Sequence, residues 1–84
     1  MITEREEIIE DVQDAIEDAV NHHPGNYALD STFQSLKMDS LNVVEVVQYL
    51  EDIYNIVIES KEIGALKTVN DLVNLVEIKC LANE

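Results

Sequence analysis

The chain is short of cysteine, of basic residues and of long apolar runs, and each shortage excludes a class of protein. Cys80 is the only cysteine, so neither an intramolecular disulfide nor a cysteine-rich metal site can form. Five Lys and Arg residues stand against 18 Asp and Glu, which leaves a net charge of −13. Nucleic acids and anionic membrane surfaces require a basic footprint, so neither is an expected partner. No stretch resembles a signal peptide or approaches the roughly 18 apolar residues of a membrane span, and we expect a cytoplasmic protein.

The length of 84 residues indicates one small domain, residues 1–84. A chain of this size buries only about 60–65% of its unfolded surface, which leaves little room for a deep catalytic cleft. The apolar share of 46% is ordinary for a folded protein. We expect a monomer whose acidic surface attracts basic protein partners.

Apolar residues at helical spacing predict an all-α fold, a small four-helix bundle with a long first loop and a short third helix. The first helix is predicted from Glu4 to Asn21, with Thr3 as N-cap and Glu6 completing a capping box. Its other face is almost continuously acidic, which is typical of a solvated surface. A loop of roughly 17 residues follows, which is unusual in so small a domain. The loop residues expected to reach the core are Tyr27, Leu29, Phe33 and Leu36.

The second helix is predicted from Ser40 to Asn55, with Asp39 as its N-cap. Apolar residues surround most of its circumference, so we expect it to be the central and most buried helix. The residues assigned to its main apolar stripe are Leu41, Val44, Val47, Leu50 and Tyr54.

Two further helical segments follow. A short helical turn is predicted within residues 60–66, and the last helix is predicted from Val69 to Leu81. Thr68 and Asp71 have the spacing of a capping box, with Asp in place of the usual Glu, at the start of that helix.

The candidate functional residue is Ser40, which places a hydroxyl where the second helix begins. A serine at a helix start is often only a cap. The start of a helix also offers unsatisfied N–H groups and the positive end of the helix dipole, so it tolerates a phosphodiester attached there. The long loop would hold the hydroxyl at the surface, and Asp39 could help to hold Mg²⁺ in the site of a modifying enzyme.

This part of the chain resembles the attachment motif and second helix of acyl carrier proteins. The resemblance lies in Asp39-Ser40-Leu41, followed by Val43-Val44-Glu45-Val46-Val47 and Leu50-Glu51. It extends without gaps from about Asp30 to Val76. The Asp-Ser-Leu triplet alone is a weak signal, but it is a strong one after the apolar residues of the loop and before this helix.

The resemblance implies that Ser40 carries a 4′-phosphopantetheine arm, transferred from coenzyme A by a holo-synthase with Mg²⁺. The thiol of the arm would hold acyl groups as thioesters in fatty-acid, polyketide or related biosynthesis, and the carrier itself would catalyse nothing. Expected partners are the holo-synthase, an acyl-loading ligase or transferase, and ketosynthase-type enzymes with basic patches. The residues that match the partner-facing set by position are Leu41, Val44, Glu45, Gln48, Glu51 and Asp52. The residues expected near an acyl chain, which could equally be plain core, are Val47, Leu50, Ile58, Leu66, Val69 and Leu72.

The chain departs from the family pattern at three informative positions. Lys37 stands where Gly is usual, so the backbone there cannot adopt a positive φ without strain. Asn42 replaces a common acid, and Glu59 replaces a common Pro. We expect these changes to mark a specialised carrier rather than the housekeeping one, with Lys37 and Asn42 tuning the choice of partner.

Two other classes of protein compete with the carrier interpretation. An enzyme that used Ser40 as a nucleophile would need a base, and the only histidines, His22 and His23, lie beside a Pro-Gly turn with no nucleophile elbow. No ligand spacing supports a metal site at these histidines. The second alternative is an unmodified acidic helical-bundle adaptor, which would gain no mass from a phosphopantetheinyl transferase.

Overall fold

A computed structural model of the chain describes residues 4–20 and 29–82, and in these residues it contains helices but no strand. The predicted N-cap Thr3 and the predicted helix end Asn21 lie outside the described residues. The second helix ends one residue earlier than predicted, where Asn55 forms a left-handed C-cap. No helix in the described part is long and apolar enough to cross a membrane. The all-α prediction is confirmed, and the four helices are α1 (Arg5–Val20), α2 (Ser40–Tyr54), α3 (Ser60–Gly64) and α4 (Val69–Ala82).

The core lies between the three long helices, which share it equally. α1 packs against both α2 and α4, so α1 rather than α2 is the central helix and the prediction for α2 is wrong. Each long helix contributes four buried side chains at helical spacing, as an amphipathic face requires. They are Ile8, Val12, Ala15 and Ile16 from α1, Val43, Val46, Val47 and Leu50 from α2, and Val69, Leu72, Val73 and Val76 from α4.

The predicted apolar stripe of α2 does not stay on one face of the helix. Leu50 is fully buried, whereas Leu41 is 65% exposed. Each step of three residues falls about 60° short of a full turn, so the nine positions between them rotate the side chain by about half a turn. The start of the stripe therefore faces solvent, and its end faces the core.

The long loop before α2 is packed, as predicted, and Tyr27 alone of the expected contacts lies outside the described residues. Phe33 is buried, Leu29 and Leu36 are half-buried against the core, and Met38 is a buried residue that the sequence did not single out. The side chains of this loop thus close one end of the bundle.

The backbone of the loop also satisfies the first N–H groups of α4, which have no acceptor inside their own helix. The N–H of Val69 donates to the carbonyl of Ser31 at 3.1 Å, and that of Asn70 donates to the carbonyl of Leu29 at 2.7 Å. Main-chain hydrogen bonds therefore join the loop to the start of α4, and the side-chain pattern of the sequence could not predict them.

The capping box predicted at the start of α4 is confirmed. Asp71 Oδ2 accepts from the N–H of Thr68 at 3.1 Å, and the N–H of Asp71 donates to Thr68 Oγ1 at 3.1 Å. Asp71 Oδ2 also accepts from the N–H of Lys67 at 3.1 Å. The backbone hydrogen bonds from Lys67 and Thr68 lower the pKa of Asp71, because they stabilise its ionised form.

We expect this cap to weaken in acid. Because folding favours ionised Asp71, its contribution is complete above the ordinary pKa of 3.8 and is lost as the pH falls through the lowered native value. Thermal midpoints of the wild type and Asp71→Asn should differ near neutral pH and converge in acid, as the pH falls below 3.8 and through the lowered pKa of Asp71. A midpoint difference that stays the same from neutral pH into this acid range would contradict the charge-dependent cap.

Arg5, the only basic residue of α1, joins α1 to α4. Its guanidinium donates to Asn74 Oδ1 at 2.8 Å and to Asn70 Oδ1 at 2.7 Å, and it lies 3.3 Å from Glu77 Oε1. The planar fork of donors suits this arrangement, which a lysine could not reproduce. The partners are 65 or more residues away along the chain, so sequence periodicity could not reveal the contact.

Two side-chain hydrogen bonds join α1 to α2 near opposite ends of α2. Asn42 Nδ2 donates to the carbonyl of Ala19 at 3.3 Å. Near the other end, the Tyr54 hydroxyl donates to the Asp11 carboxylate. Burial, together with this hydrogen bond, raises the pKa of Tyr54, so the phenol stays a neutral donor.

The short helix α3 is held by contacts to its neighbours. Lys79 Nζ lies 2.9 Å from Glu62 Oε1 and so connects α4 to α3. In the connector before α3, the N–H of Ile58 donates to Glu51 Oε2 at 3.0 Å. These bonds hold α3 to α4 and hold the connector before α3 to the last part of α2.

Candidate functional site

Ser40 is the first residue of α2, and its side chain is exposed. The predicted N-cap, Asp39, is confirmed: its Oδ1 accepts from the N–H of Asn42 at 2.9 Å. Asn42 Oδ1 accepts in return from the N–H of Asp39 at 3.1 Å, which completes a capping box. The cap is supplied by Asp39, so the hydroxyl of Ser40 is not needed to hold the helix and remains available for chemistry.

The helix start also leaves N–H groups for an anion on Ser40. The side chain of Asp39 accepts from Asn42, and its carbonyl accepts from Val43 at 3.1 Å. Among the described residues, no group accepts from the N–H of Ser40 or of Leu41. These two donors and the helix dipole favour negative charge attached at this point.

Asn42 therefore has a role inside the protein as well as any role at its surface. Its side chain both completes the cap of α2 and donates to the carbonyl of Ala19 at the end of α1. An aspartate here could accept from the backbone of Asp39 but could not donate to Ala19. The departure from the family pattern at this position thus has a structural explanation.

Lys37 adopts the backbone conformation that its side chain disfavours. Its φ is 60°, so this position carries the strain that a positive φ imposes on a lysine. The turn is set by the N–H of Lys37, which donates to the carbonyl of Gln34, and by the N–H of Met38, which donates to the carbonyl of Phe33, each at 3.0 Å. With the Phe33 and Met38 side chains buried on either side, the chain accepts the left-handed residue.

Replacement of Lys37 by glycine should stabilise the protein. Removal of the left-handed strain, about 1–2 kcal/mol, outweighs the added freedom of the unfolded glycine, about 0.4–1 kcal/mol. We expect the free energy of unfolding from urea denaturation to rise by about 0.5–1 kcal/mol. Asn55, at φ 55°, is the matched control: asparagine tolerates this conformation, so Asn55→Gly should give a smaller gain. A loss of stability in Lys37→Gly would contradict the account.

A cavity of about 500 Å³ lies beside Ser40, between the loop, the start of α2 and α3. Ser40 and Asp39 are at its rim, together with Thr32, Gln34 and Lys67. Of the residues predicted near an acyl chain, Leu66 lines this cavity and the others are buried in the core, so their proximity to an acyl chain stays a prediction. The apolar residues that line the cavity are Phe33, Met38, Val43, Val44, Ile63 and Leu66.

The six residues predicted to face partners separate into two groups. Val44 is half-buried and lines the cavity, and Glu51 is half-buried and accepts from the N–H of Ile58. The others recur at steps of four and three residues, which places them on one face. These four exposed residues, called the α2 outer face below, are Leu41, Glu45, Gln48 and Asp52.

Neither a metal site nor a serine nucleophile with a histidine base finds support in the part of the chain that the structure describes. Within residues 4–20 and 29–82, no three His, Cys, Asp or Glu side chains are grouped to hold a metal ion. His22 and His23, the proposed bases of a serine enzyme, lie outside the described residues. Sequence reasoning also missed Lys67, whose cavity position beside Ser40 depends on a contact between distant segments.

Comparison with known proteins identifies the class to which this fold and this serine belong. Residues 10–76 match the family model described as the phosphopantetheine attachment site. An acyl carrier protein of Exiguobacterium sibiricum is 40% identical over 74 residues, which cover 87% of this chain and 94% of that one. An acyl carrier protein of Streptococcus pneumoniae is 39% identical over 70 residues, 83% of this chain and 92% of the relative. The chain belongs to the acyl carrier protein family.

Solved structures agree in fold. The crystal structure of an acyl carrier protein from Thermotoga maritima superposes with a TM-score of 0.87 at 25% identity, covering 95% of this chain and 94% of that one. The solution structure of the acetyl actinorhodin acyl carrier protein from Streptomyces coelicolor gives 0.79 at 22% identity, covering 90% and 93%. The four-helix architecture is therefore the one expected of the family.

Membership of the family confirms several predictions. The chain is a carrier rather than an enzyme, and it holds acyl groups on a covalent 4′-phosphopantetheine, whose thiol supplies the thioester chemistry. The exposed hydroxyl of Ser40, the two open N–H groups and the adjoining cavity fit such a group. The family works with synthases and transferases. The expectation of a specialised member is not borne out, since the relatives are named simply as acyl carrier proteins.

Proposed function

We propose that Ser40 is the attachment residue for the 4′-phosphopantetheine arm and that the α2 outer face receives the enzymes that act on it. The observation that carries this proposal is the exposed hydroxyl at the first position of α2, freed from capping by Asp39 and set at the rim of a cavity. A holo-synthase would transfer the arm, and a ligase or transferase would then load an acyl group onto its thiol. Ketosynthase-type enzymes would act on the acyl group that the arm carries. The cytoplasmic location stays a prediction.

The attachment is tested by incubation of the chain with a phosphopantetheinyl transferase, coenzyme A and Mg²⁺. Intact mass should rise by one phosphopantetheine, and fragmentation of the peptide that spans residues 38–61 should place it on Ser40 rather than Ser60. Modification at any other serine would contradict the proposed site. No gain in mass with several transferases would favour the alternative function, an unmodified acidic adaptor.

The α2 outer face suits a partner with basic residues around an apolar contact. Leu41 presents an exposed apolar side chain beside Ser40, and Glu45 and Asp52 place carboxylates on the same face. α2 contains no basic residue, so nothing on the helix itself neutralises these charges. Complementary charge accelerates encounter and selects the docking orientation, which a carrier shared by several enzymes requires.

Neutralising this face should slow partner recognition. We expect the double variant Glu45→Gln, Asp52→Asn to lower kcat/KM of the transferase about 5–10-fold at low salt, with a smaller loss at higher ionic strength. Glu10→Gln, Asp14→Asn is the matched control: it removes the same charge from exposed residues of α1. Equal losses in the two double variants would show that net charge acts alone and would contradict a docking role for the α2 outer face.

A further inference from the structure

Among the described residues, Lys67 is the cation that lines the cavity beside Ser40. The backbone of Lys67 is held from two sides: its N–H donates to Asp71 Oδ2 at 3.1 Å, and its carbonyl accepts from the N–H of Phe33 at 3.0 Å. Lys67 lines the same cavity as Ser40. Lys67 thus belongs to the surroundings of the attachment serine although it lies 27 positions further along the chain (67 − 40).

The ammonium of Lys67 is also able to pair with an incoming anion. In the ranges that the structure describes, its ammonium forms no ion pair, although its charge helps to lower the pKa of the nearby Asp71 carboxyl, which is also engaged with backbone N–H groups. The basic residues that do form ion pairs are Arg5 with Glu77, Lys61 with Glu59, and Lys79 with Glu62. In a chain of net charge −13, a lysine without an ion pair in this place is a local source of positive charge for an incoming anion.

Attachment of the arm places a new negative charge near the Asp39 carboxylate, and this lysine can offset the resulting repulsion. A phosphodiester on Ser40 adds a negative charge next to Asp39, whose carboxylate cannot turn away without giving up its bond to Asn42. The open N–H groups of Ser40 and Leu41 supply only partial charges. A full positive charge at the cavity rim attracts the phosphodiester and favours a conformation in which the phosphodiester lies on the cavity side of Ser40.

We propose that Lys67 is a positioning residue for the prosthetic arm and that its ammonium pairs with the phosphodiester formed on Ser40. The inference rests on the proposed attachment at Ser40. It gives the first segment of the arm a preferred direction, toward the cavity between α2 and α3. The chemistry recognised is a phosphate monoanion, and a carboxylate at the far end of a cargo is the competing source of the same charge.

The test compares apo and holo forms of the wild type, Lys67→Gln and Lys61→Gln. Lys61 is the control because it carries the same charge, is exposed and does not line the cavity. At low ionic strength, Lys67→Gln should lower the holo-minus-apo difference in thermal midpoint by about 2–4 °C, whereas Lys61→Gln should not. The ³¹P resonance of the holo protein should shift in Lys67→Gln only, and Lys67→Arg should restore both readouts.

Each other result overturns the assignment. An unchanged holo-minus-apo difference and an unchanged ³¹P resonance in Lys67→Gln would show that Lys67 does not contact the phosphodiester. An effect of Lys67→Gln that appears only when the thiol carries a dicarboxylic acyl group would assign the lysine to the cargo instead. Failure of the underlying attachment is seen separately, because no holo protein then forms.

Discussion

Ser40→Ala is expected to abolish the gain in mass on treatment with a phosphopantetheinyl transferase and coenzyme A, and with it every reaction of the carried group. The loss should be complete because alanine has no atom that can form the phosphodiester. The fold should survive, since the Ser40 side chain is exposed and the helix is capped by Asp39. We expect the free energy of unfolding to change by no more than about 0.5 kcal/mol.

Ser35 provides the control for this prediction. It is exposed in the same loop, and its hydroxyl donates to the carbonyl of Thr32 at 2.7 Å, so it resembles Ser40 in accessibility but has an internal partner. Ser35→Ala should keep the full gain in mass. Residual modification of folded Ser40→Ala would show that a second serine accepts the arm and that the site has been assigned too narrowly.

Leu50→Ala is expected to have the largest effect on stability. Leu50 is fully buried where α2 faces the core, so its truncation to alanine removes apolar contacts and leaves a cavity. Such a change at a buried leucine lowers the free energy of unfolding by about 2–4 kcal/mol. A domain of this size holds only a few kcal/mol of net stability. The thermal midpoint should therefore fall by about 10 °C or more, or the variant should be largely unfolded at room temperature.

Leu41→Ala makes the same chemical change on the opposite face of the same helix. Leu41 is 65% exposed, so its truncation should cost about 0.5 kcal/mol or less while slowing recognition by the transferase. Equal losses of stability in Leu41→Ala and Leu50→Ala, measured by urea denaturation, would contradict the orientation of α2 described above.

Features that depend on residues close together in the chain were the predictable ones. The capping boxes of α2 and α4 join residues three apart, so Asp39 and the Thr68–Asp71 pair could be identified from spacing and side-chain chemistry alone. The helices followed from apolar spacing for the same reason. The family resemblance added the meaning of Ser40, which a helix start by itself does not provide.

The local sequence pattern was not sufficient to predict which face of α2 packs against the core. Apolar residues occupy most of its circumference, so spacing could not decide which of them would meet α1. Packing places Leu50 inside and Leu41 outside, and it turns Glu51 inward to accept from the N–H of Ile58. Of the six residues predicted to face partners, four are consequently exposed and two are half-buried.

What sequence alone established is a chain of acidic amphipathic helices with a serine at the start of the second, because period, caps and composition act over a few residues. Tertiary packing decided the rest. It brought Lys67 to the cavity at Ser40, Arg5 to α4 and Lys37 into a left-handed turn. Such contacts join residues that are far apart in the chain or depend on buried neighbours, so their geometry exists only once the helices have packed.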